Sequence, residues 1–170
     1  NPWPFETWHG GLMTGQVLDR VLTCYRIGDP DGQYPIFDAT GSTIAPGRWN
    51  GTTEPMIYAS ANYSTAMLEK LVHGSGQLPP NQHYIEITIP NGISYEMVTP
   101  DVLPGWEDTT FAASRPYGAQ WQTEKRSAVL IVPSVVARME QNILINPEHP
   151  DFRRIEHGLH QPVWWDRRLF

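Results

Sequence analysis

A chain of 170 residues with 40% hydrophobic and 18% charged residues has the length of one domain and a globular composition, with room for a cleft and too much apolar content for disorder. Its formal net charge of −6 argues against a nucleic-acid partner, and its single cysteine, Cys24, excludes a disulfide framework or a thiolate zinc cluster. No apolar run approaches the roughly 18 residues of a membrane span, and no charged-then-apolar leader is read at the start, so the expected compartment is the cytoplasm.

Residues 1–21 set Trp3, Phe5 and Trp8 among prolines and glycines with no clean period, and read as an aromatic arm lying against the domain or a partner. Residues 22–170 read as a single domain. "LTCYRI" (22–27) alternates as a first strand, with Cys24 and Arg26 on one face and Tyr25 and Ile27 on the other. A breaker-rich loop follows to residue 46, and "PMIYAS" (55–60) makes a short strand. "NYSTAMLEKLVHG" (62–74) reads as a helix capped by Asn62 or Ser64 and stopped by Gly74, with Met67, Leu68, Leu71 and Val72 as its buried stripe. Glu69 borders that stripe and is expected at a cleft edge.

"YIEITIP" (84–90) alternates strictly with Ile85, Ile87 and Ile89 inward, and "ISYEMV" (93–98) alternates again. "TPDVLPGWED" (99–108) reads as a capped short turn of helix, and "SRPYGAQWQTEK" (114–125) as a helix with Ser114 near its cap. "SAVLIVPS" (127–134) is nearly all apolar, as a central strand covered on both faces would be, and ends at Pro133 and Ser134. "NILINP" (142–147) is a further strand, "HPDFRRI" (149–155) a turn or short helix, and "PVWWDRRLF" (162–170) closes the sheet or packs across it.

Three side chains stand at the ends of regular elements, where ligand sites of mixed sheets collect: Arg48 before a strand, Glu69 on a helix flank, and Ser134 after the buried strand. Each also has a structural reading: Arg48 as a surface fork on Trp49, Glu69 as a partner of Lys70 or His73, Ser134 as a helix cap. Only Lys70 and Lys125 are lysines; the other ten basic residues are arginines, the side chain suited to bidentate contact with phosphate. "HGSGQ" (73–77) lacks the spacing of a nucleophile elbow, His149, His157 and His160 lack a matching metal-ligand pattern, and the glycines fit neither a Walker loop nor a dinucleotide fingerprint, so no metal is expected.

"YRI" (25–27), "GRWN" (47–50), "IYAS" (57–60), "MLEKLVH" (67–73), "PGWE" (104–107), "AVLIVPS" (128–134) and "NILINPEHPDF" (142–152) stand in the order and context of the RES domain, a family named for its Arg, Glu and Ser. The resemblance covers about residues 22–170. It implies an α+β fold with a mixed, mostly antiparallel split sheet and short flanking helices, like that of ADP-ribosyltransferase toxins. It further implies a toxin that acts on NAD⁺ and is neutralised by a helix-turn-helix (Xre-like) antitoxin. On this resemblance Arg48, Glu69 and Ser134 are the catalytic residues, and Arg26, Tyr58 and Asn146 join Arg48 in lining the NAD⁺ pocket.

Nicotinamide leaves NAD⁺ as a neutral molecule, so cleavage of its bond to ribose needs no general acid and one carboxylate suffices. Glu69 is expected to stay ionised beside the ribose, Arg48 and Arg26 to grip the pyrophosphate, Tyr58 to stack on a base, and Ser134 to hydrogen-bond Glu69 or the ribose. The acceptor is open between water, phosphate and a protein side chain. The rival is a non-catalytic module that binds a nucleotide or its antitoxin, which would have no use for the carboxylate.

Overall fold

Isoleucines 85, 87 and 89 lie buried on one face of a strand that runs from His83–Ile89, and the same alternation organises the whole molecule. The computed structural model describes residues 13–170; Trp3, Phe5 and Trp8 of the expected arm lie outside the described residues. In chain order the elements are β1 (Met13–Val17), β2 (Leu22–Gly28), α1 (Thr40–Ile44), β3 (Ile57–Ser60), α2 (Tyr63–His73), β4 (His83–Ile89), β5 (Ser94–Met97), α3 (Ser114–Thr123), β6 (Val129–Pro133), β7 (Gln141–Ile145), β8 (Glu156–His157) and β9 (Gln161–Pro162). Single 3-10 turns occupy Pro150–Arg154 and Arg167–Leu169.

The strands join in the order β1-β5-β6-β7-β3-β2-β4-β8, with β9 also on β4. Only β5 and β6 run parallel, so the sheet is mixed and mostly antiparallel. It is also split. β2 lies along the full length of β4 but meets β3 at a single position, Tyr25 opposite Ser60. Beyond that pair, the Arg26 guanidinium takes over the backbone's bonding. Its Nε donates to the Ile36 carbonyl of the following loop at 2.6 Å and its Nη1 to the Tyr58 carbonyl of β3 at 2.7 Å, so neither acceptor is left bare.

Period-2 alternation sends side chains to two cores. Ile57, Ala59, Ile143, Ile145, Val129 and Ile131 join Cys24 and the β4 isoleucines on one face. Leu130, Val132 and Leu144 point the other way, into a cluster with Trp49, Trp106 and Trp121. β6 is covered on both faces, which explains its unbroken apolar run. Gly118 of α3 packs directly on the backbone of Trp49: a Cβ there would sit 2.0 Å from the Trp49 carbonyl oxygen.

Several local expectations are corrected. The stripe assigned to α2 is rotated: Leu68 and Val72 are 40% and 57% exposed, while Thr65 and Ala66 are buried and Tyr63, Ala66 and Met67 pack against Tyr25 and Ile27. Small residues let the helix sit close to the sheet, and this turns Glu69, one helical turn after Thr65, inward. Residues 99–108 form turns and no helix. Ser114 lies within α3 and donates to the Arg48 carbonyl at 3.1 Å instead of capping. Asn62 precedes α2 without a side-chain cap; its amide reaches Glu140 at 2.5 Å. Met13–Val17, assigned to the arm, pairs with β5 as an edge strand, and the loop after β2 contains α1.

Candidate active site

Glu69 is held from two strands. Ser134 Oγ, just past β6, and Asn142 Nδ2, on β7, each donate to Glu69 Oε1 at 2.8 Å. Ser60 Oγ, on β3, donates to Asn142 Oδ1 at 2.8 Å, which orients the Asn142 amide with its nitrogen toward Glu69. These three donors share one end of three adjacent strands because β6, β7 and β3 are neighbours in antiparallel register. Glu69 Oε2 has no hydrogen-bond partner among the described residues; His73 Nε2 lies 4.0 Å away. The side chain is 25% exposed, so one carboxylate oxygen is fixed and the other is open.

The turn after Ser134 is closed on itself. Ala137 N donates to Ser134 Oγ at 3.2 Å, Glu140 N to the Ala137 carbonyl at 2.8 Å, and Ser134 N to the Glu140 carbonyl at 3.0 Å. The Asn62 bond to Glu140 ties this turn to the start of α2. Helix and turn therefore carry Glu69 and Ser134 as one unit.

Arg48 stands in the turn that precedes β3. Its turn is organised by Asn50, which is fully buried: Oδ1 accepts from Gly47 N at 2.8 Å and from Tyr58 Oη at 2.6 Å, while Nδ2 donates to the carbonyls of Ser42, Gly51 and Glu54. Trp49 N donates to Tyr58 Oη at 3.0 Å, and Arg115 donates to the Gly47 carbonyl at 2.8 Å. Gly47 is needed because a Cβ would lie 2.8 Å from the Tyr58 ring and hydroxyl. The glycine thus admits Tyr58. Burial pushes the Tyr58 hydroxyl pKa well up, so it remains a neutral donor.

The Arg48 guanidinium lies 4.6 Å from the Phe111 ring centre, and its Nη1 donates to the carbonyls of Trp106 at 3.0 Å and Asp108 at 2.8 Å. Nε and Nη2 have no hydrogen-bond partner among the described residues. Burial lowers the Arg48 pKa from its ordinary value, and the Glu69 carboxylate opposes that through space. The two do not make an ion pair at contact distance, so the carboxylate and the guanidinium share one field without neutralising each other.

Of the other expected site residues, Arg26 and Tyr58 lie at the sheet split, Arg26 bonded to carbonyls and Tyr58 to the Arg48 turn. Asn146 is corrected. It is fully buried at the far end of β7, about 13 Å of strand from Asn142. Its Nδ2 donates to the Gln122 carbonyl, and its Oδ1 accepts from Glu148 N and Gln122 Nε2. It secures α3 to the sheet and presents nothing to Glu69. Asn142 and Asn50 were missed. Both lie in the motifs "NILINP" and "GRWN", and Asn50 also carries the signal of a turn asparagine bonding nearby backbone.

Fold and site together define an α+β protein with a split mixed sheet, in which a helix-borne carboxylate held by serine and asparagine shares an electrostatic field with an arginine. The chain belongs to the RES domain family, whose model matches residues 23–166. It is 41% identical over 142 residues to the "Prs ADP-ribosylating toxin" of Sphingobium sp. (strain YBL2), covering 81% of this chain and 86% of that protein. It is 30% identical to the "Toxin Res" of Photorhabdus laumondii over 121 residues, covering 69% of this chain and 77% of that protein. Among solved structures it resembles the M. tuberculosis MbcT–MbcA toxin-antitoxin complex, with a TM-score of 0.66 and 14% identity over 86% of each chain. At that identity the likeness shows the fold alone.

Proposed function

We propose that this chain is the toxin of a toxin–antitoxin pair and that it breaks the nicotinamide–ribose bond of NAD⁺. The observation that carries this reading is the Glu69 carboxylate, fixed at Oε1 by Ser134 and Asn142 and open at Oε2, in the same field as Arg48. The names of its relatives, an ADP-ribosylating toxin and a Res toxin, support the reading from outside the structure.

The bond between the ribose anomeric carbon and the pyridinium nitrogen breaks with its electron pair going to the nitrogen, so nicotinamide leaves neutral and needs no proton. Positive charge is left on the sugar. Glu69, its geometry set by two neutral donors, takes a ribose hydroxyl through Oε2 and stabilises that charge; preorganised groups of this kind contribute about 3 kcal/mol each. Ser134 Oγ donates its hydrogen to Glu69 Oε1, and because this reading commits that carboxylate to the ribose, Ser134 positions it instead of attacking. Arg48 binds the pyrophosphate through its free Nε and Nη2 edge, where planar forks meet phosphate oxygens. The acceptor then joins the anomeric carbon. A protein side chain fits the Sphingobium relative's name best; water or phosphate in its place makes the same site a glycohydrolase or a phosphorylase.

An antitoxin with a helix-turn-helix region is the expected partner, in the cytoplasm where NAD⁺ is held. The site calls for no metal ion in this chemistry. Incubation of the pure protein with NAD⁺, with and without phosphate, followed by NMR of the products, tests the cleavage and separates water from phosphate. Labelled NAD⁺ in cell lysate tests for a protein acceptor. Intact NAD⁺ in the first and no labelled protein in the second overturn the enzyme reading and leave a binding module.

A further inference from the structure

Three arginines lie around the 99–113 loop with no ion pair at contact distance among the described residues. Arg48 and Arg115 stack on Phe111 at 4.6 and 4.9 Å, and Arg138 stacks on Trp106 at 5.4 Å. By contrast Arg20, Arg126 and Arg168 are paired with carboxylates. Arg115 is committed to the Gly47 carbonyl through both Nε and Nη2. Arg138 is committed only through Nε, which donates to Val135 O at 2.8 Å within its own turn. Its Nη1 and Nη2 have no hydrogen-bond partner among the described residues.

Two of these guanidiniums meet at one residue. Arg48 Nη1 bonds the Trp106 carbonyl and Arg138 lies over the Trp106 ring. Arg138 also belongs to the closed turn whose first residue, Ser134, holds Glu69. Glu69, Asp108 and Glu107 act on Arg48 through space, but none makes an ion pair with it at contact distance, and Asp108 Oδ1 is turned to Thr110, accepting from its N and Oγ1. Arg138 acts on Arg48 as a like charge, opposed by these acids, and the guanidinium edges left without hydrogen-bond partners suit an anion that both could reach.

We propose that Arg138 and Arg48 together form the subsite for the substrate's pyrophosphate, with Trp106 as the shared support and with Arg26 confined to stapling the sheet split. This rests on the NAD⁺ reading above and assigns its anionic end. Arg48 approaches from the wall of the Trp49 turn and Arg138 from the Ser134 turn, so a bound diphosphate bridges the two walls and brings the ribose against Glu69. Repulsion between the guanidiniums in the free protein, which adds to the lowering of the Arg48 pKa, is relieved on binding.

The test is Arg138→Gln, with Arg138→Lys beside it, assayed for NAD⁺ turnover and for ADP-ribose affinity by calorimetry. Nicotinamide riboside, which has no phosphate, is the control substrate. Losing a charge-assisted contact predicts about a tenfold rise in KM for NAD⁺ and in the ADP-ribose Kd, with kcat within about twofold. Turnover of nicotinamide riboside is unchanged, and lysine recovers part of the loss as a point charge. Unchanged KM and ADP-ribose affinity in a folded Arg138→Gln overturn the assignment while leaving the reaction standing. Conversely, a wild-type protein that binds ADP-ribose in an Arg138-dependent way but releases no nicotinamide keeps the subsite and removes the catalytic reading. Wild-type protein that binds neither removes both.

Discussion

Ser134 Oγ and Glu69 Oε1, 65 residues apart in sequence, lie 2.8 Å apart in the structure, and Asn142 donates to the same oxygen. Both donors are neutral, so they orient the carboxylate without discharging it. An arginine in their place would spend the negative charge that the proposed reaction relies on.

Replacing the carboxylate tests this directly. Glu69→Gln keeps the shape and removes the charge, and kcat for nicotinamide release falls by about 10²- to 10³-fold. ADP-ribose affinity, set at the other end of the site, changes little. Stopped-time assays of nicotinamide together with calorimetry check the pair of values, and an undiminished rate refutes the role.

Asn142 acts through Glu69. Asn142→Ala frees one side of the carboxylate and leaves the buried Ser60 hydroxyl without its acceptor, so kcat drops by about 10- to 100-fold through misplacement alone. Asn142→Asp is worse near neutrality because a second carboxylate then faces Glu69, and its relative activity rises as pH falls and one proton is shared. The pH profile of the two variants distinguishes positioning from loss of packing, since only the aspartate variant carries the added titration.

Two glycines admit backbone and ring at van der Waals limits. Gly118→Ala places a Cβ 2.0 Å from the Trp49 carbonyl oxygen, so α3 must lift from the Arg48 turn, at a cost of about 3 kcal/mol. Gly47→Ala meets the Tyr58 ring at 2.8 Å, and a side chain yields more readily than backbone, so its cost is about 1–2 kcal/mol. Chemical denaturation ranks the two, and the opposite order contradicts the packing described. Gly47→Ala also raises KM for NAD⁺, because the displaced Tyr58 releases the turn that aims Arg48.

Stability also depends on His149. Its Nδ1 accepts from Asp151 N at 3.0 Å, a bond that only the neutral ring makes. Burial lowers its pKa below the ordinary 6.5, with the Asp151 carboxylate opposing and Lys125 adding to the shift. A depressed folded pKa means that the contribution is complete above about pH 6.5 and is lost as pH falls through the folded value. Melting temperature therefore declines below pH 6.5, and His149→Ala, which gives up a bond worth about 1 kcal/mol at neutral pH, flattens that limb.

The alternating isoleucines of β4 and the apolar run of β6 were legible because strand periodicity writes burial directly into residue order. The α2 stripe was misread because Leu68 and Val72 look like core while the helix in fact seats on Thr65 and Ala66. Hydrophobicity marks what can be buried, and close approach to a sheet favours what is small.

The chain's own order of residues determined the central strands, which follow from local period, and its motifs carry the resemblance that implies the α+β class and from which Arg48, Glu69 and Ser134 are proposed as the catalytic residues. Only the tertiary structure decided that Asn142, and not Asn146, meets Glu69, that Arg26 staples the split, and that Arg48 and Arg138 share Trp106. Those contacts join residues far apart in sequence. They depend on strand order and register, which bring distant side chains to one sheet end and which no local period records.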